Sequence, residues 1–134
     1  MAYVNATIVQ GGFGSFQASV DADITLYQRL CFNTTADTQG GKPCVKACGA
    51  TDRAMGVAMQ PFAIGIFGTV RLANAQGEQY GQASGSIGLG VAVYQAAAGK
   101  LTASSGGGAL RVGVATTPGF DGGPFTYMQD GQIT

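Results

Sequence analysis

Four stretches of this 134-residue chain carry side chains of the kinds that do chemistry. Cys44 and Cys48 are separated by three residues, and Cys31 lies upstream. Zinc takes four ligands, commonly with two residues between paired cysteines. The chain has no histidine to complete a set, so no metal site is expected. Asp21 and Asp23 share one face if extended, and a carboxylate pair can do acid–base work. Beside turn signals, a cap or turn role is the expected one. AAAGKLT at 96–102 has the ending of a phosphate loop, but Tyr94 stands where the first glycine belongs and Leu101 follows Lys100. GGFGSFQ at 11–17 fails the dinucleotide pattern, because Gln17 occupies the last glycine position. Without histidine, metal set or activated nucleophile, no catalytic residue and no cofactor are expected, and the chain reads as a non-enzyme.

The elements around these stretches are short. Residues 1–20 hold no charge, and Tyr3, Val4, Ile8, Val9, Phe13 and Phe16 are spread among glycines and small polar residues. Glycines at 11, 12 and 14 oppose a helix, so the segment reads as an extended N-terminal arm. Six apolar side chains without a charge need a surface to cover them, which makes them the candidate partner interface. Residues 21–134 read as a single β-rich domain. In 21–33, Ile24, Tyr27 and Cys31 follow helical spacing, while Ile24, Leu26, Leu30 and Phe32 alternate as in a strand. Turn chemistry on both sides favours the strand. Beyond it come CVKAC, GVAM before Pro61, FAIGIFGTVRL with a slip at Gly68, a turn at 73–79, and IGLGVAVYQA. LTAS, LRVGVA and FTYMQ follow, divided by glycine-rich turns. Short strands at this spacing predict an all-β fold, a small barrel or sandwich.

Gly-Val-Ala occurs three times, at 56–58, 90–92 and 113–115. A glycine inside a strand marks a place where another backbone passes close or a barrel bends. The first and third copies precede Pro61 and Pro118 and read as two related strands of one domain.

Composition narrows the function. There are 23 glycines, and only seven basic and seven acidic side chains, 10% charged in all. About 25% is usual. Interfaces are depleted in charge, so coverage by neighbouring subunits explains the deficit better than a free Ser/Thr/Gln-rich surface does. The net charge of zero leaves no basic stripe for direct nucleic-acid binding. No run is long and apolar enough for a membrane span, and the first residues lack the charge and apolar core of a secretory signal. Three cysteines cannot all pair within one chain and are expected to be reduced.

Residues 53–128 carry a further pattern. Arg53 to Ala58, the alternating run Ile64 to Leu72, Gly90 to Tyr94 with Gly99-Lys100, and Arg111 to Ala115 follow in that order. This resembles the head decoration, or capsid cement, proteins of tailed bacteriophages. The resemblance covers a little over half the chain and lacks the family's acidic turns. It implies a protein made in the host cytoplasm that binds the outside of the head and bridges subunits of the major capsid protein. It also implies homo-oligomers, often trimers, and no active site. The competing reading is a β-domain of a phage tail, spike or fibre, with Phe120, Phe125 and Tyr127 as an exposed aromatic cluster for glycans. No tryptophan is available for such a platform.

Overall fold

A computed structural model describes residues 15–20, 22–34, 43–64, 68–73 and 77–130. Among the described residues the regular elements are ten short β-strands and two single-turn 3₁₀ segments. The first five strands are β1 (Ser15–Val20), β2 (Arg29–Phe32), β3 (Cys44–Ala47), β4 (Gly56–Ala58) and β5 (Gly68–Leu72). They pair in the order β1-β3-β2-β4-β5, and β1 pairs again with β5, so the pairing returns on itself. The closing seam is a short parallel contact, Ser19 with Cys44 and Val20 with Val45. The remaining strands are β6 (Gln79–Gln82), β7 (Ala92–Gln95), β8 (Leu101–Thr102), β9 (Arg111–Ala115) and β10 (Pro124–Gln129). They form a second sheet in the order β6-β10-β9-β7-β8.

The two halves are the same unit built twice. Ile24 and Phe62 exchange backbone hydrogen bonds of 2.8 and 2.9 Å, as do Ile87 and Gly119 at 2.9 and 2.8 Å. The Tyr27 amide donates to the Ala58 carbonyl, and the Gly90 amide to that of Ala115, both at 2.9 Å. Leu30 lies opposite Gly56 and Gly56 opposite Leu72. In the second half Val93 lies opposite Gly113 and Gly113 opposite Gln129. Even the parallel seam recurs, with Ala83 beside Leu101 where Val20 stands beside Val45. Each unit has its own buried cluster. Val20, Ile24, Leu30, Val45 and Ala58 fill the first; Ala83, Ile87, Val93, Leu101 and Ala115 stand at the matching positions of the second.

This duplication accounts for the repeated phrase. Gly56-Val57-Ala58 and Gly113-Val114-Ala115 are the matching strands β4 and β9. A Cβ on Gly56 would lie 2.5 Å from the Arg71 carbonyl oxygen, and one on Gly113 would overlap the Met128 carbonyl. Both glycines therefore sit where a neighbouring backbone passes too close for any side chain. Pro61 and Pro118 match as well. The arginines do not, because Arg53 is three residues before its glycine and Arg111 two before its own. The middle copy, at 90–92, is also unrelated. Its Gly90 has a φ of 76° and matches Tyr27, whose φ is 68°.

Tyr27 also explains why 21–33 is not one strand. Its left-handed backbone ends the extended run and resets which face is buried. Ile24 and Leu30 point into the core, while Leu26 and Phe32 are exposed. β6 gives no apolar alternation (Gln, Tyr, Gly, Gln) and lies at the end of an expected turn. It is nonetheless paired with β10 at four positions. The last six residues of the expected arm form β1, with Phe16 opposite Val70. Tyr3, Val4, Ile8, Val9 and Phe13 lie outside the described residues, as do 65–67, just before the expected slip at Gly68.

Candidate binding site at the seam

The two units meet through polar groups. The turn at 97–99 sits against β2, and Gly99, at a φ of 70°, brings its backbone so close that a Cβ would be 2.7 Å from the Arg29 carbonyl oxygen. The Gly99 amide donates to the Cys48 carbonyl (2.7 Å), and Gln28 Nε2 donates to the Ala98 carbonyl (2.6 Å). Gln95, on β7, reaches into the first unit, where its Nε2 donates to the carbonyls of Gly49 (3.0 Å) and Asp52 (2.6 Å). The stacked rings of Tyr27 and Tyr80, 4.8 Å apart and 13° from parallel, make a second bridge.

Arg29 is the centre of this seam. It is 5% exposed, at the start of β2. Its Nε donates to Gln95 Oε1 (3.2 Å), an Nη1 proton goes to the Tyr127 hydroxyl, and the guanidinium lies 5.9 Å from the Tyr127 ring centroid. Tyr127 matches Val70 of the first unit, so in the second unit the same core position carries a hydroxyl that reaches across. Burial pushes the Tyr127 phenol above its ordinary range, against the pull of Arg29. Among the described residues no carboxylate pairs with Arg29.

A cavity of about 280 Å³ opens beside Arg29, walled by both units. Arg53 comes from the first; Arg111, Gln129 and Asp130 come from the second. Arg111 Nε is 2.7 Å from Asp130 Oδ2, both side chains being well exposed. Three arginines and one aspartate thus line the same space. A Gln129 Oε1 lone pair is buried with no hydrogen-bond donor. Sequence reasoning missed this site. Arg29, Arg53 and Arg111 are far apart in the chain, and the strand pattern of each segment gives no sign that they converge.

Asp23 Oδ1 accepts the Ile64 amide (3.3 Å) across a loop, while Asp21 lies outside the described residues. Cys31, Cys44 and Cys48 are buried and free. Burial and the neighbouring Cys31 thiol push the Cys48 thiol far above its ordinary range. Among the described residues no three Cys, Asp or Glu side chains converge as a metal site. The expected aromatic cluster for glycans is not an exposed one. Phe125 and Tyr127 alternate inward along β10 into the second core, and only Phe120, 73% exposed, reaches solvent.

The described chain is thus an all-β protein of two like five-stranded units with a cationic cavity at their junction. No family model and no curated protein matches it. Among solved structures it is similar to the N base of the head fiber gp8.5 of bacteriophage phi29. The TM-score is 0.71 at 15% identity, covering 88% of this chain and 94% of that one. At that identity the likeness is one of fold.

Proposed function

We propose that this chain is a structural protein of a tailed-bacteriophage head. It docks on the outer surface, contacts subunits of the major capsid protein and acts as a cement. The observation that carries this reading is the fold shared over nearly the whole chain with the N base of a phage head fiber. The low charge supports it, since surfaces meant for burial are depleted in charge. So does the alternation of exposed and buried apolar side chains. Leu89 and Phe120 extend from the loops joined by the Ile87–Gly119 pair, and Leu26 and Ile64 from those joined by Ile24–Phe62. Each junction loop therefore offers apolar surface to a neighbour. On this reading the protein acts by added contact area, with no turnover, metal or cofactor, and self-associates as a homo-oligomer, a trimer by the family resemblance.

The name of the structural neighbour favours a second reading, in which the chain is the base of a head fiber and carries further chain outward. Both readings place it on the head. The test is co-sedimentation of purified protein with mature heads that lack it. Saturable binding at a fixed number of copies per head is the expected result. Binding to tails alone, or to neither, refutes both.

A further inference from the structure

The geometry points to the cavity beside Arg29 as a receptor for an acidic peptide segment. We propose that a partner inserts an aspartate or glutamate there, its carboxylate meeting Arg29 and its backbone N–H meeting Gln129 Oε1. This rests on the reading that the chain docks on another protein.

The argument begins with charge. Arg29 is almost wholly buried, and its bonding partners are neutral: an amide oxygen, a phenol and a ring face. Buried cations are ordinarily paired with an anion, because neutral hydrogen bonds do not offset the loss of hydration. Arg29 nevertheless borders an open cavity that also receives Arg53 and Arg111. Among the described residues lining the cavity only Asp130 opposes the three, and it is already bound to Arg111. The guanidinium of Arg29 is held from two sides by Gln95 and Tyr127, which fixes its fork before any ligand arrives. Arg recognises carboxylate and phosphate alike through that fork.

The second observation separates the two ligands. Gln129 lines the same cavity, and its Oε1 is a buried acceptor without a donor. A phosphodiester or a free carboxylate brings no proton for it. A peptide brings both an anion and an N–H donor a few ångströms away. About 280 Å³ is room for one or two residues, not for a folded domain. Arg53 at the exposed edge attracts the segment, and Leu110, half-exposed on the same wall, covers its apolar stem.

The test uses the full chain in solution, with the side-chain Nε–Hε signals of its arginines followed by NMR. Three probes are titrated: a capped Gly-Glu-Asp-Gly peptide, its Gly-Gln-Asn-Gly counterpart, and dimethyl phosphate. The expected result is a saturable shift of the Arg29 and Arg53 signals with the acidic peptide in the millimolar range. The neutral peptide should give none, and dimethyl phosphate should bind at least about fivefold more weakly. Arg53→Gln keeps the fold and weakens the acidic peptide about fivefold, and Gln129→Leu does the same without changing charge. Dimethyl phosphate saturating as tightly as the peptide overturns the peptide assignment, as does an unchanged affinity in Gln129→Leu. No shift with any probe overturns the site. Because no heads are present, failure to dock on heads with peptide binding intact would refute the proposed function and leave this site standing.

Discussion

Phe62 and Phe125 fill matching places in the two units from exchanged positions. In the first unit the ring comes from the residue paired with Ile24, and it covers Gly68 on β5. In the second the ring comes from the β10 residue that matches Gly68, and it covers Gly119, which matches Phe62. Each unit therefore has one phenylalanine and one glycine at the two sites, with the assignments reversed. Both rings are buried.

That exchange predicts a compensating pair. Phe62→Gly alone should empty the first core and cost about 3–5 kcal/mol. Gly68→Phe alone should clash with the Phe62 ring. The double variant reproduces the arrangement of the second unit, so the two changes should couple favourably by about 2 kcal/mol or more. Urea unfolding of the four proteins in the cycle checks this, and additive losses contradict the matched-unit account.

Close backbone approach predicts unequal glycines. Gly113→Ala forces a methyl group onto the Met128 carbonyl and should destabilise by at least about 2 kcal/mol. Gly106→Ala meets only Ser104 Oγ at 3.9 Å and should change stability by no more than about 0.5 kcal/mol. Thermal melts of the two variants make the comparison.

The phenol of Tyr127 predicts alkaline behaviour. Burial raises its folded pKa above the unfolded value, which is near 10. The stability it contributes is fully present below the unfolded value and is lost as pH rises through the folded one. Ultraviolet titration should therefore show one of the five tyrosines ionising only with unfolding, and Tyr127→Phe should remove that step.

Glu78 predicts a small acid effect. Hydrogen bonds from Thr116 and then Thr126 hold its carboxyl below the usual range, although it is fully exposed. A lowered folded pKa gives stability that is present above the unfolded value and is lost as pH falls through the folded one. Thr116→Val should move the Glu78 titration, followed by carboxyl carbon NMR, back upward. An unmoved titration contradicts this cause.

The Cys48 thiol should be inert. Its raised pKa and burial keep it protonated near neutral pH, and the thiolate is the reactive form. Ellman's reagent should label it only in denaturant, and the protein should hold no stoichiometric zinc.

The strands and their glycines were legible in sequence because their signals are local. Alternation marks β5 and β9, and Gly56 and Gly113 announce tight crossings. The doubling was only half visible. The echo of Gly-Val-Ala is real, yet the matching positions Phe62 and Gly119, or Tyr27 and Gly90, share no chemistry. What they share is backbone geometry, which residue type does not spell out. β6 was hidden for a related reason. Gln79 is fully buried, so an inward polar residue broke the pattern that identifies a strand. The Arg29 site was illegible because its parts come from β2, β7, β9 and β10, and only the packing of two units joins them.

In the proposed function the protein strengthens a head by docking on its outside. A ligand that binds the assembled shell and not its free subunits raises the shell's apparent stability by mass action. The direct measurement is the rupture temperature of DNA-filled heads lacking this protein, before and after purified protein is added back without metal or nucleotide. The account predicts that bare heads assemble but rupture at a lower temperature, and that addition restores it in proportion to occupancy. Equal rupture temperatures for bare and saturated heads would contradict the cement role.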